Sequence, residues 1–233
     1  MGNKLFSDFD ERVEEINQYF TFVKNLNKGT TRLCTDNNGK NKISKIDSEL
    51  EKTLKATAFL LLYNLVESTM RNAIEAIFEE ISNRSISFDE LRSELKSIII
   101  KNFKQNYSTD NLMENITLIS VDIISVTFDK SKLFSGNLDA RKIRDTARDY
   151  GFSSQTNSRK TRDGIDLLKI KTNRNDLAHG FKSFNDIGKD TSVEDLLAIE
   201  TRVVSYLREI LQNIETYLDN QEYLDSNEKE IEI

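Results

Sequence analysis

The chain predicts an all-α fold, on three observations. None of its 233 residues is proline, and proline is the residue that breaks helix interiors. Average usage would place roughly a dozen prolines in this length. Apolar residues recur at the three-and-four spacing of a helix face over most of the chain. Ser87 with Glu90, and Thr191 with Glu194, form the capping-box pattern that opens helices.

Taken in order, Phe6, Phe9, Val13, Ile16, Phe20 and Val23 mark an amphipathic helix over residues 5–27. Asn25 to Asn41, with Gly29, Cys34 and Gly39, reads as a polar loop. A long helix is expected from Ser44 to Ser82, carrying Leu50, Leu54, Ala58, Leu62, Leu65, Ala73 and Ile77. Ser87 opens the next helix, through Lys104. Another follows from Asp110 to Phe128, although its section from Ile116 to Val121 is rich in β-formers. Asn137 is expected to cap a short helix ending at Gly151, before a polar, basic loop from Ser153 to Arg162. Asp163 or Gly164 opens a helix that ends near His179, and Thr191 starts the last long one, to about Leu218. From Asp219 to Ile233 there are six acidic residues and one lysine, the composition of a frayed tail. The expected division is an N-terminal helix and loop (1–44), a helical domain (45–218) and an acidic tail (219–233).

Composition excludes several classes. The longest apolar run, Ala58 to Tyr63, is far short of the ~20 residues that span a bilayer. The N-terminus turns acidic at once, unlike a signal peptide, so a cytoplasmic location is expected. Cys34 is alone, which rules out an intrachain disulfide, and one cysteine with one histidine makes a zinc site unexpected. The glycines form no phosphate-cradling loop. No cofactor is therefore expected. Net charge is −6, but residues 130–174 hold 12 Lys and Arg against 5 Asp, a local balance of +7 against −13 elsewhere. Solvated helix faces account for such a tract in general; beside an anion-binding motif it reads as a track for a phosphate backbone.

That motif is Arg174-Asn175-Asp176-Leu177-Ala178-His179, which contains the only histidine of the chain. Asn175 and His179 are four apart and share a helix face, so Asn175 is placed to orient the ring. Gly180 suits the C′ position, which puts the imidazole at the helix end, where the dipole favours its protonated form. A guanidinium beside an imidazole suits a phosphodiester. Read singly, each residue is an ordinary helix-end histidine or surface arginine; the pair carries the inference. Asn64, Glu67, Ser68 and Arg71 form a polar stripe within the long helix. Two readings are open for it: an intrahelical Glu67–Arg71 ion pair on an exposed face, or a supporting role for Glu67 and Asn64 beside the Arg174–His179 site.

The Arg-polar-three residues-His pattern resembles the RxxxxH signature of the HEPN superfamily. Three further features resemble its bacterial MAE-like group: Leu65-Val66-Glu67-Ser68-Thr69 on a long helix, the segment Ser135 to Arg144 leading to Tyr150-Gly151, and the late position of the motif before one long helix. The resemblance covers roughly residues 45–218. It implies a helical bundle and metal-independent endoribonuclease activity, in which the ribose 2′-OH attacks the adjacent phosphate. Arg174 is then the phosphate-binding group, His179 the general acid or base, and Asn175 a contact to the ring or the RNA. Arg159, Lys160, Arg162, Lys169 and Lys171 are candidate RNA contacts, with solvated side chains as the alternative. The resemblance also implies a homodimer with a composite site, and a toxin or anti-phage role under an antitoxin or defence-system partner. Two other classes stay open: a catalytically silent helical scaffold, and a nucleotide-binding module that does not cleave.

Overall fold

The longest helix, α2 (Ser48–Asn83), runs through the middle of the molecule. Its buried positions include Ala56, Phe59, Leu62, Val66, Ala73 and Ile77, but also Ala58, Leu65, Ile74 and Ile81, so it is covered on several sides. The computed structural model of the protein describes residues 2–106, 123–134 and 136–225. Around α2 stand α1 (Gly2–Asn27), α3 (Ser93–Asn106), α4 (Ile123–Thr127), α5 (Ala140–Tyr150), α6 (Ser158–Thr161), α7 (Asp166–Ala178), α8 (Phe184–Lys189) and α9 (Val193–Asp219). The helices α1, α7, α8 and α9 all pack directly on α2. The architecture is all-α, as its sequence predicts.

The core is continuous from Leu5 and Phe9 of α1, through α2, to Leu207, Ile210 and Ile214 of α9, and on to Tyr223. Asp47 caps α2 by accepting from the Glu49 N–H at 2.8 Å, and Glu49 and Glu51 complement the dipole of its first turn. The short helix α8 lies so close to α2 that a Cβ on Gly188 would run into the Lys52 backbone carbonyl. The motif helix α7 is held at its start by α9: Arg202 donates to both carboxylate oxygens of Asp166, at 2.5 and 3.0 Å. This bidentate pair is half-buried and fixes where the helix begins.

Several boundaries differ from expectation. The loop over residues 25–41 contains a β-hairpin, β1 (Leu33–Asn37) antiparallel to β2 (Lys40–Ser44), the only sheet among the described residues. Asn38 and Gly39 take left-handed conformations (φ 51° and 78°), the turn that suits the twist of two strands. The capping box of Ser87 and Glu90 opens only a 3₁₀ turn, Phe88–Glu90, because Leu91 is extended and pairs with Leu224. Ser192, not Thr191, caps α9, accepting from the Asp195 N–H at 3.0 Å. Asp139, not Asn137, caps α5, accepting from Lys142 N–H at 2.9 Å. Three successive left-handed residues, Arg162, Asp163 and Gly164, delay the start of α7 to Asp166. Most of the helix expected over residues 110–128 lies outside the described residues. No described helix is long and apolar enough to cross a membrane.

Candidate functional site

The helix α7 has two faces with different tasks. Leu167 and Ile170 are buried on its inner face, and Arg174 and Leu177 continue that stripe at half-buried positions. Ile165, Leu168, Thr172, Asn175 and His179 recur at three-and-four spacing on the opposite side, where all but Asn175 are exposed. An arginine therefore stands where the inward pattern asks for an apolar residue.

Its surroundings show how that is accommodated. The guanidinium carbon of Arg174 lies 4.6 Å from the centre of the Tyr63 ring, a cation–π contact from α2. Nη1 donates to Asn175 Oδ1 at 2.9 Å. Gly136, at φ 77°, comes so close that a Cβ there would lie 3.0 Å from Nη1. With one donor engaged, the other four N–H groups of Arg174 have no partner among the described residues. Ring, amide and glycine thus fix the orientation of a guanidinium that is still free to bind. Such a fork is preorganised for a phosphate.

Tyr63 is itself held by the chain that passes over it: its hydroxyl accepts from the Leu138 N–H at 3.2 Å. Burial pushes this hydroxyl up to about 12, with the Leu138 N–H and Arg174 opposing and the Glu67 carboxylate reinforcing. Tyr63 therefore remains a neutral platform at physiological pH. Asn175 donates Nδ2 to Asn137 Oδ1 at 3.3 Å. The amide of Asn175 orients Arg174 and meets the 136–138 segment. It makes no hydrogen bond to the imidazole, contrary to the expectation from their shared face.

His179 is the first residue past α7 and is exposed. The helix closes in a Schellman arrangement: the Phe181 N–H donates to Asp176 O at 2.8 Å and the Gly180 N–H to Leu177 O at 3.2 Å. Gly180, at φ 69°, supplies the left-handed residue that this closure needs. The imidazole leans on the Phe181 ring, with centroids 5.6 Å apart, and neither ring nitrogen has a partner among the described residues. Both remain available for proton transfer.

The polar stripe of α2 faces Arg174. Leu60, Tyr63, Asn64, Glu67, Ser68, Arg71 and Arg174 line one cavity of about 320 Å³. Glu67 and Arg71 do form the i, i+4 ion pair, at 2.7 Å, but half-buried and not on an exposed face. Arg71 also donates to the carbonyls of Lys130, Ser131 and Phe134 at 2.6, 3.3 and 2.7 Å. Together with its two bonds to Glu67, all five of its N–H groups are engaged. Arg71 fastens the 130–134 segment to α2 and has no N–H left for an anion.

The candidate RNA contacts separate into free and committed cations. Arg159, Lys160 and Arg162 are exposed around α6 without an ion pair among the described residues. Lys169 is exposed and lies over the Phe59 ring at 5.8 Å. Lys171, expected to reach RNA, is instead paired with Asp139. Burial works to raise the Asp139 carboxyl, but Lys171 and backbone N–H groups outweigh it and leave its pKa lowered. Within the +7 tract, Lys130, Lys132 and Arg148 are likewise paired with acids. No group of three or more His, Cys, Asp or Glu side chains is placed to hold a metal ion among the described residues.

Fold and site together define a helical domain with an arginine–histidine motif at one helix end. The chain belongs to the MAE_28990-like HEPN family, whose profile matches residues 1–223. That places it in a superfamily of nuclease-type, RNA-related domains. The match takes in α1 and the hairpin as well as the motif helix. No curated protein and no solved structure matches the chain.

Proposed function

We propose that the protein is a metal-independent endoribonuclease that cleaves RNA by attack of the ribose 2′-OH on the adjacent phosphate. The observation that carries this reading is the preorganised guanidinium of Arg174, with four N–H groups free, on the helix that ends in the accessible His179. The new bond joins the 2′ oxygen to phosphorus and the bond to the 5′ oxygen breaks, leaving a 2′,3′-cyclic phosphate and a 5′-OH. Arg174 stabilises the additional negative charge of the five-coordinate phosphorus. An imidazole takes the 2′ proton, and a second group returns one to the departing 5′ oxygen. Asn175 serves by holding Arg174. Glu67 supports it at one remove, through Tyr63 and through Arg71.

Each chain has one imidazole and the reaction uses an acid and a base, so we infer a homodimer with a composite cleft. The outer face of α7 supports this: Ile165 and Leu168 are 65% and 54% exposed, and Phe181 beside His179 is 76% exposed. Their spacing along the stripe with Thr172, Asn175 and His179 is that of a helix-pairing seam. An isologous contact through it covers the apolar side chains and brings two His179 rings into one cleft. A toxin or anti-phage role, restrained by a protein partner, is part of the same reading and rests on family membership.

The free cations around α6 provide a first test. Charge reversal at Arg159, Lys160 and Arg162 is expected to weaken RNA binding and flatten its salt dependence, since fewer counterions are released. Fluorescence anisotropy with a labelled single-stranded RNA from 50 to 300 mM salt reads both effects. An unchanged slope would remove these residues from the RNA path. Single-stranded DNA should be bound but not cut, because the attacking 2′-OH is missing.

A further inference from the structure

Resting on the RNA-cleaving reading of Arg174, we propose that the cavity beside it is a nucleobase pocket that accepts adenine or cytosine and disfavours uracil. Its volume of about 320 Å³ exceeds that of a single base, and it opens directly beside the phosphate-binding fork. A nucleotide whose phosphate lies on Arg174 therefore has a place for its base along α2.

The character of the wall follows from counting its free donors and acceptors. Arg71 has no N–H left, since Glu67 and three carbonyls take all five. The hydroxyl of Ser68 donates to Leu65 O at 3.1 Å and so offers only lone pairs. Glu67 receives both Arg71 bonds on Oε1 and presents its charge as an acceptor. Asn64 is exposed, and its amide has no partner among the described residues. Apart from Arg174, and from the Tyr63 hydroxyl, whose proton is directed at Glu67, its Nδ2 is the one side-chain donor left in the lining. Leu60 adds apolar surface for the ring.

An acceptor-rich wall with one amide selects a base edge that has an amino group next to a ring nitrogen. Adenine presents N6–H beside N1 or N7, and cytosine N4–H beside N3; an asparagine amide meets either with two bonds, accepting from the amino group and donating to the ring nitrogen. Uracil has a single donor, N3–H, between two carbonyl oxygens; an amide that takes N3–H and one carbonyl leaves no amino group for the Glu67 carboxylate. Guanine can meet the amide through N1–H and O6, but its two adjacent donors, N1–H and N2–H, are matched in full only by a carboxylate. Asn64 is thus a specificity-determining residue, beyond any supporting role.

The test uses the full chain and decanucleotides of 2′-O-methyl A, C, G and U, which resist this cleavage and so report binding alone. The wild type is expected to bind the A or C oligomer about tenfold more tightly than the U oligomer. Asn64→Ala, on an exposed face of α2 and in a better helix former, should reduce that difference to less than about threefold. Asn64→Asp replaces the lone donor by an acceptor and should move the preference toward G. Equal binding of all four oligomers by the wild type, or preferences unchanged in both variants, would overturn the pocket. Cleavage of ordinary RNA is measured in parallel. Base preference without cleavage keeps the pocket and removes the nuclease reading, whereas cleavage with equal binding does the reverse.

Discussion

His179→Ala and Arg174→Ala are each expected to lower RNA cleavage by at least ~10²-fold without unfolding the protein, the scale for losing a general acid or base or a charge-stabilising donor. His179 is exposed beyond the end of α7, so its removal uncovers no core. Arg174 is half-buried against Tyr63, and its replacement removes one cation–π contact, worth on the order of 1 kcal/mol. Arg174→Lys should fail almost as badly as alanine, because an ammonium cannot lie flat on the ring and present a planar fork. Thermal melts by circular dichroism verify folding, and the cyclic-phosphate product is followed on a short RNA. EDTA should leave the wild-type rate unchanged. Full activity in His179→Ala, or loss with EDTA that a divalent ion restores, would overturn the mechanism. If the wild type is toxic on expression, both variants should relieve toxicity at equal protein levels.

Leu168→Glu should be as damaging although it touches no proposed catalytic group. Leu168 is exposed in the single chain, so a carboxylate there is harmless to the monomer fold. Placed in a two-fold seam, it would bury two like charges opposite each other, an interaction that costs several kcal/mol. The expected result is a folded monomer in analytical ultracentrifugation at micromolar concentration, with cleavage reduced at least ~10²-fold for want of the second imidazole. A monomeric variant with undiminished cleavage would show that one chain suffices. A variant that remains dimeric would place the seam elsewhere.

What was legible in the sequence is what local physics controls. Absence of proline and helical periodicity lead to the all-α fold, and Gly180 after the last periodic residue leads to the Schellman closure that ends α7 beside His179. The residues of α2 that face Arg174, Asn64 and Glu67, were visible as polar interruptions of an apolar helix. Tyr63 was not, because an aromatic at a buried position reads as core until its ring is seen beneath a guanidinium. Asn137 has the type that suits a helix start, and Asp139 two residues later suits it equally. Only the pairing of Asn137 with Asn175, 38 residues away, separates the two readings. The hairpin had a local signal in Asn38-Gly39, outweighed by the polarity of its flanks. The commitment of Lys171 to Asp139, and of all five Arg71 donors, could not be foreseen, since composition counts charges without saying which are already paired.

The segment around residues 136–139 meets α7 at three points: Gly136 against Arg174, Asn137 on Asn175, and Asp139 on Lys171. Such a tie behaves as a chelate. With any two contacts formed, the third closes at high effective concentration, and ordering the backbone is a cost shared by all three. Asn137→Ala or Lys171→Met alone should therefore change stability and RNA affinity only modestly, whereas the double variant should lose more than the two single losses combined. A double-mutant cycle measures that excess. Strict additivity would mean that each contact stands alone. A survey by single alanine substitutions would then understate this segment, because the binding geometry of Arg174 is the property of a redundant clasp.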